Sequence, residues 1–139
     1  NQFDILRGED PSRKGVLRHC AQNKLSFIAW SPLRGGLLSE RYLDRSKAKP
    51  GDRLVDEKKL DKELTSAVHK KLKRLAALAR DWGLTLTQLT IAAMLHLPGM
   101  GPVIAGCSTP SQVAENAKAG KVKLRKDQMT TLSELLGTF

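Results

Sequence analysis

The sequence predicts an α/β fold in which parallel strands are covered by helices. Three observations carry that expectation. Strand-like and helix-like stretches alternate along the chain. The two full strand candidates, 25–30 and 102–106, are short and mostly apolar, as strands buried on both faces are. The segments between and after them keep apolar residues three and four apart, the helical period. In chain order, Phe3-Asp4-Ile5-Leu6 reads as the tail of a strand. Residues 8–12 form a loop and a helix start, with Pro11 near the first turn. Val16, Leu17, Cys20 and Ala21 recur at helical spacing and predict a helix over 12–23. Leu25-Ser26-Phe27-Ile28-Ala29-Trp30 predicts a buried strand, which Pro32 ends and Gly35-Gly36 turns. Residues 39–60 are polar and show no period, so a long loop is expected there. Such loops in compact domains are usually functional or disordered. Leu64, Val68, Leu72, Leu75, Ala76 and Ala79 predict an amphipathic helix over 61–82, with Gly83 as its C-cap. A more apolar helix is expected over 87–97, stopped by Pro98-Gly99. The strand at 102–106 follows. A helix then runs from about 108 to 119, with a Ser or Thr cap and Pro110 in its first turn. The last helix spans 126–136, and Gly137 stops it.

A chain of 139 residues is one domain by length. It is too short for a complete (β/α)₈ barrel, which needs roughly 250 residues. Hydrophobic residues at 40% and charged residues at 27% exclude a disordered or membrane class. No apolar run reaches the roughly 18 residues of a membrane span, so no membrane partner is expected. The chain lacks an initiator Met and a signal-peptide pattern, and its start reads like the middle of a longer protein. Cys20 and Cys107 have no metal spacing and are expected as two reduced, buried thiols in a cytoplasmic protein. The formal net charge of +10 points to an anionic partner. Nucleic acid is the first candidate. However, the cluster Lys70, Lys71, Lys73 and Arg74 reads as a solvated helix face, and no aromatic residues alternate with basic ones. A small molecule bearing phosphate fits better.

Three segments carry a family resemblance. Ala29-Trp30-Ser31-Pro32-Leu33-Arg34-Gly35-Gly36-Leu37-Leu38, followed by Arg41-Tyr42, resembles the strand-seven motif of the aldo-keto reductase superfamily. Val103-Ile104-Ala105-Gly106-Cys107-Ser108-Thr109-Pro110-Ser111-Gln112-Val113-Ala114-Glu115-Asn116 is similar to its strand-eight segment. Phe3-Asp4-Ile5-Leu6-Arg7 is similar to the end of strand six. The Trp-Ser-Pro-Leu form resembles the potassium-channel β-subunit and bacterial general-reductase branches more than the aldose reductases. The resemblance implies that residues 1–139 are a partial unit, the C-terminal portion of a (β/α)₈ barrel with strands six to eight and their helices. It also implies that residues 39–60 cover a cofactor.

Ligands of such barrels bind at the C-terminal ends of the strands, and the candidate residues sit there. The resemblance implies that Trp30 stacks on a nicotinamide; the alternative is a core Trp under a helix. It assigns the backbone of Ser31, Leu33 and Gly35 to the pyrophosphate, with Pro32 shaping the turn. Arg41 and Arg53 match basic positions that hold the pyrophosphate or ribose phosphate. Gly106, Ser108 and Gln112 match positions near the 2′-phosphoribose. Glu115 and Asn116 match the pair that hydrogen-bonds adenine. Ser108 also starts a helix, where free N–H groups and the helix dipole favour an anion. Gln112, Glu115 and Asn116 share a helix face. Aldose reductases have Lys and Arg where Gly106 and Gln112 stand, so cofactor choice is open from these residues. The net charge leans towards NADPH over NADH.

The family's chemistry uses a Tyr proton donor with Asp, Lys and His, all from earlier strands. No residue of this chain matches that tetrad. Tyr42 falls in the strand-seven loop motif, His19 and His69 read as surface groups, and His96 as a helix C-terminal dipole partner. No metal ligand set is expected. The implied activity is NADP(H)-dependent carbonyl reduction of an aldehyde or ketone by hydride transfer, with the chain by itself inactive. The alternative is a non-catalytic nucleotide-binding or regulatory half-barrel that self-associates or joins a complementing chain. Three strands with unpaired edges make a poor monomer, which favours association.

Overall fold

The computed structural model describes residues 1–137 of the chain. The last two positions of the 1–139 unit lie outside the described residues. Its centre is a parallel pair, β3 (Phe27–Trp30) and β4 (Met100–Ile104), with Ala29 opposite Val103 and Trp30 opposite Ile104. Phe27 pairs with Met100, so two steps along β3 match three along β4. Pro102 stands in the longer stretch and has no N–H to give to a ladder. On the other side of β3, Gln2 bridges Trp30 in parallel, and the Trp30 N–H donates to the Asn1 carbonyl at 3.0 Å. The chain thus lays strands side by side in sequence order, as in a parallel (β/α) barrel wall. This is a mixed α/β fold consistent with part of a (β/α)₈ barrel.

The wall has one covered face. Phe27 and Ala29 are buried, while Ile28, Trp30 and Ile104 are about half exposed on the other side. Helices cover the buried face: α1 (Val16–Gln22), α4 (Ser66–Asp81), α5 (Leu86–Leu95), α6 (Pro110–Ala119) and α7 (Lys126–Leu136). α5 lies at the centre of the core. It is apolar nearly all round, and Leu86, Leu89, Ala92, Ala93 and Met94 have no exposure. Such a helix is stable only when surrounded. α4 instead buries the stripe Leu72, Leu75 and Ala79 and leaves its Lys-rich face in water. Gly99 closes the packing at the entry to β4. A Cβ there would lie 2.5 Å from the Leu17 carbonyl and 2.6 Å from the Ala21 nitrogen, at a φ of +83°.

Several elements differ from the sequence reading. The start of the chain is a hairpin: β1 (Phe3–Asp4) pairs antiparallel with β2 (Gly8–Glu9). Asp4 Oδ1 makes the turn by accepting the Leu6 and Arg7 N–H groups at 2.9 and 3.0 Å. The first helix begins at Val16, because Gly15 at φ +93° separates it from a 3₁₀ turn at Pro11–Arg13. The segment 39–60 is no bare loop. It holds 3₁₀ turns at Glu40–Tyr42 and Arg45–Lys47, then α2 (Arg53–Asp56), and α3 (Leu60–Glu63) begins at its end. One-turn helices are too short for a 3.6-residue period to register in sequence. Asp44 and Ser39 cap the 3₁₀ turns. The expected 61–82 helix is split, since Thr65 caps a new start and α4 begins at Ser66. Its last residue is Asp81, and Trp82 is followed by Gly83 at φ +71°, the left-handed glycine that closes the helix end as expected. α5 begins at Leu86 under a capping box of Thr85 and Gln88, and ends at Leu95. The last full strand is Met100–Ile104 rather than 102–106, and α6 begins after Thr109. The two thiols also differ from expectation: both are free, but Cys107 is exposed and only Cys20 is buried. Cys107 sits on the loop leaving β4, where its side chain stays exposed.

Two histidines are more tied into the fold than their sequence neighbours indicate. His69 Nε2 lies 2.8 Å from the Leu43 carbonyl, joining α4 to the 39–60 segment. His96 accepts the Leu124 N–H at Nε2 (3.1 Å), so its Nδ1 carries the proton donated to the Ala92 carbonyl at 2.8 Å. It links the end of α5 to the start of the last helical segment. Among the described residues, no helix is long and apolar enough to cross a membrane.

Candidate functional site

At the C-terminal ends of β3 and β4 the exit loops and the 39–60 segment enclose a cavity of about 430 Å³. It is built from the backbone upward. After β3, Ser31 (φ +61°), Arg34 (φ +47°), Gly35 (φ +66°) and Gly36 (φ +90°) all take left-handed backbone conformations. Residues with side chains rarely do so, because the Cβ crowds the backbone. Runs that include left-handed residues turn successive N–H groups to one side and form anion-binding concavities. Here the Leu33 and Gly35 N–H groups have no acceptor among the described residues, and both residues line the cavity. Gly35 is also closely packed, against a side-chain end. A Cβ on it would come within 2.9 Å of Leu54 Cδ2 from α2.

The 39–60 segment forms the roof. Leu54 is buried over the loop, and its N–H is held by the Tyr42 hydroxyl at 3.2 Å. Burial pushes the Tyr42 hydroxyl above its ordinary pKa. Tyr42 therefore acts as a neutral internal strut. Arg41 lines the cavity and pairs with Asp52 at 2.9 Å, with about a third of its side chain exposed. Arg53 also lines it and pairs with Glu57 at 2.7 Å. The solvent-accessible Arg53–Glu57 pair contributes little, about 0–1 kcal/mol, so the Arg53 guanidinium can turn to a stronger anion at small cost, whereas the buried Asp52 holds Arg41 more firmly.

The opposite wall comes from β4 and α6. Gly106 leaves open space where a Cβ would project. Ser108 is held by Gln112, whose Oε1 accepts both the Ser108 N–H (2.8 Å) and its hydroxyl (3.0 Å). Asn116 donates to Cys107 Sγ at 3.0 Å. Glu115 accepts hydrogen bonds from the Thr85 hydroxyl and from Gln88 Nε2, which ties α6 to the start of α5. The face shared by Gln112, Glu115 and Asn116 is thus organised by its own chain.

Of the residues singled out in sequence, Ser31, Pro32, Leu33, Gly35, Arg41, Arg53, Gly106, Ser108, Gln112, Glu115 and Asn116 all line this one cavity. Trp30 is not among the lining residues. Its ring stands on the uncovered face of the wall, 49% exposed, which overturns the alternative of a core Trp under a helix. Arg34, Gly36, Ser39, Gly51, Thr87 and Cys107 also line the cavity and were not singled out. Arg34, Gly36 and Cys107 are neighbours of residues that were. Thr87 follows the capped start of α5, and nothing local in the sequence marks it. Left-handed backbone, open space at Gly106, unpartnered amides and cavity-lining guanidinium groups together suit an extended phosphate-bearing ligand such as a dinucleotide.

Comparison with known proteins gives a consistent result. A family model described as "Aldo/keto reductase family" matches residues 1–136. The chain is 35% identical over 99 residues to a protein described as a probable voltage-gated potassium channel subunit beta, from Arabidopsis thaliana. That match covers 68% of this chain and 30% of the relative. The crystal structure of a thermostable aldo-keto reductase, Tm1743, in complex with the inhibitor epalrestat aligns with a TM-score of 0.62 at 27% identity. It covers 96% of this chain and 38% of that one. The chain therefore spans between 30% and 38% of the length of these relatives.

Proposed function

Because this chain belongs to the aldo/keto reductase family, we propose that it forms the cofactor-holding part of an NADP(H)-dependent carbonyl reductase acting on an aldehyde or ketone. The observation that carries this reading is the single cavity lined by the 31–36 loop, Arg41, Arg53 and the 106–116 segment. Bound there, NADPH supplies the hydride for carbonyl reduction. The chain's own residues bind and orient. Leu33 and Gly35 amides meet the pyrophosphate, and Pro32 and Ser31 fix the turn that presents them. Arg53 exchanges Glu57 for phosphate, and Arg41 meets phosphate while held by the buried Asp52. Ser108 and Gln112, at the start of α6, take the 2′-phosphoribose, and Glu115 and Asn116 take the adenine edge. Trp30, half exposed at the end of β3, stacks on the nicotinamide. The net charge of +10 favours NADPH, with its extra phosphate, over NADH. We place the protein in the cytoplasm, with both thiols reduced. The sole Tyr of the chain is a buried strut, so residues 1–139 by themselves carry little or no reductase activity.

A second reading has its own observation. The half-exposed Ile28, Trp30 and Ile104 leave one face of the wall apolar and bare. That suits a non-catalytic nucleotide-binding half-barrel that associates with itself or with a complementing chain. Titrating the protein with NADPH while following Trp fluorescence tests the first reading. Saturable quenching that disappears in Trp30→Leu is expected, with weaker binding of NADH. Absence of any saturable response would remove the cofactor reading. Binding without carbonyl turnover in a protein that also supplies the tetrad would favour the second.

A further inference from the structure

Below the cavity lies a charge cluster that the cofactor reading leaves without a role. Glu63, at the end of α3, is largely buried, with 11% of its side chain exposed. It is contacted by two arginines. Arg34 reaches it from the cavity loop through Nε at 2.7 Å and Nη2 at 2.5 Å, and Arg7 reaches it from the first hairpin at 3.0 Å. The Arg34 side chain is itself only 13% exposed. Its guanidinium is paired with Glu63. Its backbone, however, sits in the left-handed region between Leu33 and Gly35, whose amides have no acceptor among the described residues. A residue with a Cβ stays there only when its surroundings hold it.

The geometry points to Glu63 as a positioning residue that fixes Arg34 in its left-handed conformation, so that the 31–36 amides converge on a phosphate. It acts through Arg34 from 29 residues away in sequence. This role rests on the cofactor reading of the cavity, but the loop order it produces does not. Glycine adopts a positive φ without help. Replacing Arg34 by Gly should therefore make the loop independent of Glu63.

The test compares wild type, Glu63→Ala, Arg34→Gly and the double variant Arg34→Gly/Glu63→Ala. Two quantities are measured: the Kd for NADPH, and hydrogen exchange of the 31–36 amides without cofactor. Glu63→Ala should weaken NADPH about tenfold and speed exchange in the loop. The double variant should return to within about threefold of wild type on both. A Glu63→Ala protein that binds and exchanges like wild type overturns the proposal. So does a double variant as impaired as Glu63→Ala, because Glu63 would then serve only to anchor α3, or Arg34 would be contacting the ligand directly. If wild type fails to bind NADPH, the cofactor reading falls, and the exchange pattern alone decides whether Glu63 orders the loop.

Discussion

Asp4 has 1% exposure, and its two oxygens live differently. Oδ1 accepts two turn amides, while Oδ2 is buried with no partner among the described residues. Burial raises the Asp4 pKa, and the nearby Arg34 charge and the Leu6 and Arg7 amides only partly offset it. The folded state therefore holds the Asp4 proton more tightly than the unfolded chain does. Stability from this group is fully present below the ordinary 3.8 of an unfolded aspartate and is lost as pH rises through the higher folded value. Asp4→Asn keeps the Oδ1 acceptor and removes the charge. It should raise stability at pH 7 by about 1 kcal/mol, the scale of one poorly satisfied buried polar group. The gain should shrink towards pH 4. Urea unfolding of both proteins at the two pH values checks this, and a gain that grows on acidification would show that Arg34 outweighs burial. The same residue marks a limit of sequence reading. Phe3-Asp4-Ile5-Leu6 carries the resemblance to a strand end, yet nothing local tells that the carboxylate folds back to make a hairpin.

Elements were legible where a period had room to show. α7 spans 126–136 as its spacing predicts, and α5 is the apolar helix expected, shifted by a residue or two at its ends. The 39–60 segment was opaque because its helices are single turns held by contacts distant in sequence, His69 on Leu43 from α4 and Tyr42 on Leu54 within the segment. The cavity wall shows the same division. Short motifs placed Ser31 to Gly35 and Gly106 to Asn116 at strand exits, and the structure sets them around one space. Arg34 was passed over because its partner Glu63 is distant in sequence. Between elements, the packing at Gly99 leaves no room for a Cβ. Gly99→Ala drives a Cβ into α1 backbone at a left-handed φ, and neither neighbour is a movable side-chain end. Left-handed strain and overpacking together predict a loss of about 2–4 kcal/mol. Thermal unfolding measures it; a loss below about 1 kcal/mol would mean that α1 slides freely over β4.

At the scale of the whole molecule, the parallel wall is half a core. Its helix side holds the buried residues, and its other side presents Ile28, Trp30 and Ile104 in solvent. Exposed apolar side chains gathered on one face of a sheet mark a face that something covers. In a longer protein, further barrel strands would lie there. For the 139-residue chain by itself, the same face should drive self-association. The +10 net charge opposes it, so the two effects can be separated by salt. Screening shortens the reach of like-charge repulsion to about 8 Å at physiological ionic strength, while burial of apolar surface is little affected. Sedimentation equilibrium of this chain should therefore give a mass above that of one copy, rising as salt is added. The pair Ile28→Ser and Ile104→Ser should bring the mass back to a single copy at every salt concentration. It should do so without loss of helix content, because neither side chain enters the buried side of the wall. If association persists unchanged in that pair, the contact lies elsewhere on the molecule. If wild type stays a single copy even at high salt, the bare wall tolerates water, and an apolar face does not by itself require a partner in this fold.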